Sequence, residues 1–352
     1  MRRTLPLMIG LSFLTIALAV FVGPVHLSPF TVLRSLDYGI KSSIDSHLSF
    51  HLHVWRINVS FHPNLNPGKP PSLYVIPWYI RLPRVLLAYF VGMALASSGV
   101  AAQALFKNPM ADPYIIGISG GAGIGAALGF IYWPAHVGLS ALVFSLISVY
   151  VVYMVARVDG RIPVDTLLLS GIAYGFMAGA ITAYLVIELG PRAHLTWMWL
   201  MGSFSGTQWS QVGEMFIVSV AGVAFLTWKW RELNLLLFGE ESISMGLDVD
   251  LFRKVVIAVI SVLTAVAVST SGIIGFVGLM APHIVRFMVG PNHRYLTINA
   301  ALFGGILLVL ADLLARTVAS PMEIPVGIVT AMMGGPFFLY LLRKHKRGEI
   351  AR

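Results

Sequence analysis

Histidine is the residue type in this sequence best suited to binding a metal ion, and five of the ten copies fall in one segment, residues 24–80. Imidazole is a common ligand of metals and of haem iron. Because residues two apart on a β-strand share a face, His51 and His53 would lie on one side of a strand. No carboxylate stands next to them, and the chain has no cysteine to supply a thiolate. We therefore favour a solvated loop over a metal or haem site. The five histidines are His26, His47, His51, His53 and His62.

The carboxylates closest to apolar stretches of the sequence are Glu188, Glu214 and Asp312, and each lies near the end of a stretch. A transporter driven by protons or sodium ions uses acidic groups or histidines deep in the membrane, where burying them is costly. Little in this sequence would bind such an ion at the midplane. An ion-coupled secondary transporter of a small solute is therefore the alternative interpretation. A membrane-embedded enzyme would need these groups clustered at one rim, and no catalytic residue or metal ligand is predicted.

The composition identifies the solvent in which these residues must be positioned. Hydrophobic residues make up 57% of the 352 residues, charged residues only 11%, and the mean hydropathy is +0.82. Soluble globular chains carry about 25% charged residues, so this chain has too little polar surface to remain in water. The sequence therefore predicts an all-α membrane protein that crosses the bilayer many times.

Runs free of charge give the number of crossings, because a spanning helix needs roughly 20 apolar residues. We predict ten transmembrane helices. They lie at 5–23, 85–106, 166–187, 209–228, 295–316 and 324–342, with two more in 114–156 and two in 255–285. The pair in 255–285 is expected to be short, with a tight turn at Ser271-Gly272. The first run is interpreted as a retained helix and not as a signal peptide, because no small-residue cleavage site follows it.

The distribution of positive charge predicts the orientation of the helices. Ten crossings put both termini on one side, and the positive-inside rule makes that side cytoplasmic. Sixteen of the 24 basic residues then face the cytoplasm. One transmembrane domain, residues 1–352, would carry a long periplasmic loop at 24–80 and a cytoplasmic loop at 229–254. The net charge of +9 is explained by this orientation, so nucleic acid is not needed as a partner.

Two spacings recur between the halves of the chain. Gly99 is followed by proline after ten residues and by glycine after eighteen, and Gly272 is followed in the same way. Gly171 and Gly179 are eight apart, as are Gly327 and Gly335. Five predicted helices separate the members of each pair. An odd shift reverses direction across the membrane, so the spacings suggest inverted repeats, whose interface commonly carries a transport path.

Several motifs follow one another along the chain from residue 81 onward. They are Arg81-Leu-Pro-Arg84, Ser98-Gly99, Gln103-Ala-Leu-Phe-Lys-Asn-Pro109, Gly117-Ile-Ser-Gly-Gly, Gly275-Phe-Val-Gly-Leu-Met-Ala-Pro282-His-Ile-Val-Arg286, Ala311-Asp-Leu-Leu-Ala-Arg316 and Glu323-Ile-Pro-Val-Gly327. Together they closely resemble the permease family of bacterial ABC importers for iron-siderophores, haem and cobalamin. Segment 24–80 is longer than expected for that family and matches none of its motifs.

The resemblance implies a set of partners in the inner membrane of a prokaryote. A second copy of the chain would complete the path, two cytoplasmic ABC ATPase subunits would drive it, and a periplasmic binding protein would deliver the ligand. The sequence agrees on one point, since it contains no GxxxxGK[ST] phosphate loop. Its one Gly-Lys pair, Gly68-Lys69, is followed by proline. The chain itself is expected to bind no cofactor, with ATP and magnesium on the ATPase subunit and membrane lipid around the permease.

The resemblance also assigns roles to individual residues. In the loop at 229–254, apolar residues outside the membrane mark a contact surface, and the family uses a similar loop to meet its ATPase. The candidates for this coupling contact are Glu240, Glu241, Met245, Gly246 and Leu247. Arg81, Arg84 and Arg316 match the positions of arginines that dock the binding protein. The other interpretation of these arginines is anchoring to lipid headgroups, with Asp312 pairing to Arg316 one helical turn away.

The path is expected to lie along the fifth and tenth predicted helices. Gly171, Gly175 and Gly179 are four apart, so they form one smooth stripe on a helix, and Gly327 belongs to the tenth. Such a stripe either leaves room for a bulky ligand or admits a neighbouring helix. An iron-siderophore is the first choice of ligand because it is the largest group in the family. The histidine-rich loop favours haem slightly, and cobalamin remains open.

Overall fold

A bundle of long helices forms most of the computed structural model, which describes residues 4–25, 27–48, 50–54, 57–61 and 75–346. Within these residues there are thirteen α-helices and one β-hairpin. The helices are α1 Thr4–Phe21, α2 Pro29–Leu48, α3 Leu82–Leu105, α4 Ile118–Tyr132, α5 Val137–Ala156, α6 Val164–Glu188, α7 Ala193–Leu200, α8 Trp209–Trp228, α9 Trp230–Leu236, α10 Val249–Ser271, α11 Val277–Val289, α12 His293–Thr317 and α13 Val326–Lys346. A π-helical turn, Ile76–Arg81, leads into α3, and the hairpin strands are β1 Phe50–Val54 and β2 Ile57–Phe61.

Each of the ten predicted spans coincides with a helix of the described chain. Eight helices, α1, α3, α5, α6, α8, α10, α12 and α13, are long and apolar enough to cross a membrane. The remaining two, α4 and α11, are apolar but shorter, with 15 and 13 residues. The prediction of a multi-pass all-α membrane protein is therefore confirmed. One detail was wrong, because α10 has 23 residues and only α11 is short.

The ten helices that coincide with predicted spans bring the chain back to the end of the bundle at which it begins. We call the end of the bundle that holds Thr4 and Lys346 the terminal face and the other end the opposite face. The contacts agree with this division: Arg316, near the end of α12, donates a hydrogen bond to the carbonyl of Ala19, near the end of α1. Arg286, near the end of α11, donates to the side chain of Gln103, near the end of α3, at 2.6 Å. The assignment of the terminal face to the cytoplasm stays a prediction.

Helix α3 lies at the centre of the bundle and packs against α8, α10, α11 and α12. Nearly all of its residues are buried. Glycines allow this close packing, because small residues let membrane helices approach. A Cβ atom at Gly92 would collide with the carbonyl of Gly304, and one at Gly99 would collide with the carbonyl of Gly278. Peripheral helices such as α6 and α13 bury only 22% of their apolar window within this chain.

Segment 24–80 contains regular structure that the sequence did not reveal. Helix α2 packs on the π-helical turn, where Gly39 lies against the ring of Trp78. The hairpin after it is antiparallel, and His51 and His53 pair in register with Ser60 and Asn58. The bundle is all-α as predicted, and this hairpin is the exception. Of the five histidines singled out, His26 and His62 lie outside the described residues.

The spacings that suggested inverted repeats mark different local structures. Gly99 lies in the middle of α3, whereas Gly272 follows the end of α10 with a φ of +72°. Gly117 and Gly290 are more alike, since each is next to a helix end and has a positive φ, +89° and +83°. Pro109 precedes α4 in a connection, but Pro282 is inside α11.

Candidate translocation groove, coupling segment and buried arginines

An open groove of about 420 Å³ lies between α4 and α6, with α7 at one end. The glycine stripe of α6 forms one wall. Cβ atoms at Gly175 and Gly179 would meet nothing within 4 Å, so both positions leave space for a bulky group. Hydroxyl groups are few in the wall, and one of them, on Thr182, donates to the Ala178 carbonyl of its own helix at 2.8 Å. The groove is therefore smooth and largely apolar.

Two other glycines predicted to line the path lie against backbone. A Cβ atom at Gly171 would collide with the carbonyl of Ile115, and one at Gly327 with the carbonyl of Met201. The amide of Gly327 also donates to that Met201 carbonyl at 3.0 Å. Both positions allow elements to pack closely, so only the Gly175–Gly179 part of the stripe is open. The role of the groove in transport stays a prediction.

The connection between α10 and α11 lies next to the groove and is held by a tyrosine. The hydroxyl of Tyr114 donates to the carbonyl of Ile274 at 3.2 Å and accepts from the amide of the same residue at 3.3 Å. Phe276, which begins α11, has a φ of +69°. This left-handed conformation is unfavourable for a residue with a bulky side chain. Its ring packs against Gly334 of α13. Sequence reasoning missed Tyr114 and Phe276.

On the terminal face, the coupling segment Trp230–Asp248 forms α9, a 3₁₀ turn at Gly239–Ile243 and a further turn at 244–246. Four apolar side chains of this segment are exposed. They are Leu237, Phe238, Ile243 and Met245. Because exposed apolar groups outside the membrane usually mark a contact surface, this patch is suited to a partner protein. Sequence reasoning selected Met245 and missed the other three.

The remaining predicted coupling residues have different environments. Leu247 is buried and therefore fixes the segment to the bundle. Gly246 has a φ of +85°, a conformation that glycine adopts readily. Glu241 is exposed and begins the 3₁₀ turn with Glu240. The side chain of Glu240 accepts a hydrogen bond from Arg253 of α10 at 3.1 Å, which ties the turn to the bundle. The role of these residues in coupling to an ATPase stays a prediction.

On the opposite face, the arginines predicted to dock a binding protein are buried and bonded within the chain. Arg81, Arg84 and Arg316 are 3%, 7% and 2% exposed. Arg84 pairs with Asp312 at 2.9 Å and with Glu323 at 2.9 Å. Arg316 lies 3.6 Å from Asp312, which confirms the predicted pairing one helical turn apart. The structure therefore assigns these arginines to an internal network in this conformation.

Arg81 forms its hydrogen bonds with backbone carbonyls and not with carboxylates. Its guanidinium donates to the carbonyls of Val20 and Phe21 at 3.3 and 3.2 Å, and also to that of Val25. The carbonyls of Val20 and Phe21 lie at the end of α1, where four carbonyl groups have no partner within the helix. Arg81 thus caps α1. Sequence reasoning did not anticipate this cap or the part of Glu323, because both join residues far apart in the chain.

Comparisons with known proteins agree with the geometry. A model of the FecCD transport family matches residues 11–344. The cobalamin import system permease protein BtuC of Halobacterium salinarum is 42% identical and covers 92% of this chain and 90% of that protein. The hemin transport system permease protein HmuU of Yersinia pestis is 37% identical and covers 82% and 90%. A solved structure described as a metal-chelate type ABC transporter in an inward-facing conformation has a TM-score of 0.77 at 27% identity, covering 97% and 99%.

Proposed function

The chain belongs to the FecCD transport family and is a permease subunit of an ABC importer of the iron-chelate, haem and cobalamin class, and we propose that its ligand is cobalamin. The observation that supports this choice is the identity to one cobalamin permease, 42%, against 37% to the hemin permease. The cobalamin permease of Halobacterium salinarum aligns with 92% of the chain, which leaves 8% of 352 residues, about 28, outside. Segment 24–80 is twice that length, so the alignment must include part of it.

The hemin relative supports the second candidate, an iron complex. Its alignment covers 82% of the chain, so the 18% left outside is long enough to contain all of segment 24–80. Hemin and cobalamin are both chelates in which a large tetrapyrrole-derived ring holds the metal. An iron-siderophore, our first choice from the sequence, now ranks behind cobalamin because that choice depended only on the size of the family.

The proposed mechanism uses the smooth groove as part of the wall of the path. A wall with few polar groups binds a ligand weakly, so it can release the ligand after transport. The path itself would be completed by a second copy of the chain. Two ATPase subunits would bind the exposed patch of the coupling segment, on the cytoplasmic side, and ATP hydrolysis would occur on them. These assignments also place the chain in the inner membrane of a prokaryote, with the opposite face in the periplasm.

Docking of a binding protein at the opposite face would require a change in the arginine network. Arg84 is available to a partner only if Glu323 releases it, since the two groups are paired in this structure. Glu323 is the exposed member of the network, at 37% of its side chain, so a partner reaches it first. We propose that carboxylates of the binding protein replace Glu323 on Arg84. Opposite charges at such an interface fix register and speed encounter.

Uptake by reconstituted vesicles tests the proposal. The permease is placed in liposomes with its ATPase subunit and ATP inside, and the binding protein is added outside with radiolabelled cobalamin, haem or a ferric siderophore. Cobalamin uptake that depends on ATP is expected. ATP-dependent uptake of an iron complex without cobalamin uptake would exclude cobalamin and keep the importer. Uptake that continues without ATP but collapses with an ion gradient would support the ion-coupled transporter instead.

A further inference from the structure

A second cavity, of about 480 Å³, opens on the terminal face, between the first turns of α1 and α12, the end of α8 and the start of α9. It shares no element with the groove between α4, α6 and α7. Aromatic rings and one arginine form its rim, and the side chains of Leu5 and Ile298 form an apolar wall. Rings at this level are typical of the boundary between lipid tails and headgroups.

The arginine at the rim, Arg294, carries a positive charge that no carboxylate of the described chain neutralises within 4.0 Å. The acidic residue of α9, Glu232, lies two positions after Trp230 and is already paired with Lys229 at 2.7 Å. The guanidinium of Arg294 is held near two rings, at 5.7 Å from the centre of Trp230 and 5.6 Å from that of Tyr295. These cation–π contacts orient the group and leave its N–H donors available to an anion.

Two polar atoms in the wall of the cavity are buried without a hydrogen-bond partner in the described chain. They are the hydroxyl oxygen of Thr227 and the side-chain carbonyl oxygen of Asn299. The amide nitrogen of Asn299 donates to the carbonyl of Tyr295 at 2.7 Å, which fixes the orientation of the group. Asn299 is 1% exposed. Because a buried polar atom without a partner is costly, both atoms indicate a ligand that enters the cavity.

We propose that this cavity binds the headgroup of a phospholipid that carries a hydrogen-bond donor, such as phosphatidylglycerol or phosphatidylethanolamine. Arg294 binds the phosphate, and the hydroxyl of Thr227 donates to a phosphate or ester oxygen. The carbonyl oxygen of Asn299 accepts from the hydroxyl or ammonium group of the headgroup. Leu5 and Ile298 contact the start of an acyl chain. Choline has no N–H or O–H, so phosphatidylcholine satisfies the phosphate contact and leaves Asn299 unpaired.

Because of where the cavity lies, a bound lipid would contact two elements of the bundle. Trp230 is the first residue of α9, and α9 begins the coupling segment. Arg294 and Asn299 belong to α12, against which α9 packs. A headgroup in the cavity would therefore join the coupling segment to α12. This inference does not depend on the ligand that the importer moves.

Native mass spectrometry of the purified, delipidated permease tests the proposal. The wild type is titrated with phosphatidylglycerol, phosphatidylethanolamine and phosphatidylcholine of the same acyl chains. It is expected to bind the first two about fivefold more tightly than the third, the effect of one hydrogen bond. Arg294→Gln should weaken binding of all three about tenfold by removing a charge-assisted contact. Asn299→Leu should remove only the preference over phosphatidylcholine.

The matched control is Arg157→Gln, which removes an exposed positive charge from the same face outside the cavity. Its lipid affinities should equal those of the wild type. If Asn299→Leu fails to fold, Thr227→Val is used as a second variant, and it should weaken binding of all three lipids about equally, by the few-fold effect of one hydrogen bond. Equal affinities in the wild type and Arg294→Gln would overturn the proposal. It would also be overturned if inorganic phosphate alone displaced the lipid at millimolar concentration, because the site would then recognise a free anion.

Discussion

The guanidinium of Arg84 lies 2.9 Å from both carboxylate oxygens of Glu323, although the two residues are 239 positions apart. This contact ties the first turn of α3 to the connection that precedes α13. On its other side, the same guanidinium bonds to Asp312. One arginine thus joins three elements at the opposite face, and the predictions for this face depend on it.

Asp312→Asn should destabilise the protein strongly. The carboxylate is 1% exposed and lies between Arg84 and Arg316, so its removal leaves the buried charge of Arg316 without a carboxylate and that of Arg84 with Glu323 alone. Breaking a buried ion pair in this way costs about 3–5 kcal/mol. Thermal unfolding in detergent measures the change. Asp37→Asn is the control, because its pair with Lys41 is exposed and such pairs contribute about 0–1 kcal/mol. Equal effects of the two substitutions would contradict the burial of this network within the protein.

Glu323→Gln tests the docking proposal. If a carboxylate of the binding protein replaces Glu323 on Arg84, then removal of the competing charge should strengthen binding about two- to fivefold, the effect of a partly exposed ion pair. Surface plasmon resonance with the permease in nanodiscs measures this affinity. Weaker or unchanged binding would argue that Arg84 keeps a purely internal role.

Substitutions in the exposed patch of the coupling segment should weaken ATPase binding. Phe238→Ser and Ile243→Ser remove apolar groups that are 54% and 58% exposed, so the fold loses little. Each is expected to reduce affinity for the ATPase subunit about five- to thirtyfold, the effect of losing about 1–2 kcal/mol at an interface. Val158→Ser is the control, since Val158 is an exposed apolar residue of the same face outside the segment. Co-purification yield and ATPase stimulation are the measurements.

Two glycines of one helix should respond in opposite ways. Gly179→Leu places a side chain in the open groove, where a Cβ atom meets nothing within 4 Å, so the protein should fold normally and lose most of its uptake. Gly171→Leu collides with the carbonyl of Ile115 and should reduce the yield of folded protein. Size-exclusion profiles and vesicle uptake separate the two effects. Normal uptake by Gly179→Leu would exclude the groove from the path.

Asp112 provides a test of pH dependence in the connection between α3 and α4. Burial raises the pKa of this carboxyl from 3.8 to about 6, although it accepts a hydrogen bond from the amide of Tyr114. The folded state therefore binds the proton more tightly than the unfolded state, and stability falls as the pH rises from about 4 to 6. Asp112→Asn keeps the acceptor and removes the charge. It should raise stability at pH 7.5 by about 3 kcal/mol, since each of the two pKa units is worth about 1.4 kcal/mol, and have little effect at pH 4. Unfolding at the two pH values measures this difference.

The sequence predicted the membrane spans well, because the cost of burying charge in lipid acts along every residue of a crossing helix. Contacts between residues far apart in the sequence could not be predicted in this way. Nothing near Arg84 indicates that Asp312 and Glu323 will neutralise it. Spacing could not separate Gly171 from Gly179, because the difference depends on Ile115, which packs against only one of them.

The short length of α11 and the fold of segment 24–80 were missed for other reasons. Helix α11 begins at a bend where Phe276 adopts a positive φ, and a bulky aromatic residue gives no local signal for that conformation. Segment 24–80 has no long apolar run, so hydropathy placed it outside the membrane and gave no indication of α2. The hairpin that follows α2 depends on pairing between strands, which a search for membrane spans does not test.

The helices are buried to different extents, so the bundle has one central helix that is held firmly and peripheral helices that are held less firmly. Helix α3 is surrounded by protein, and its backbone contacts the backbone of neighbouring helices at Gly92 and Gly99. It cannot shift without disturbing four neighbours, because close-packed interiors resist such shifts. Most of the surface of α6 and α13 makes no contact with the rest of this chain. Tilting either of them therefore disturbs few contacts within this chain. An opening and closing motion would therefore pivot these two helices around a stationary α3.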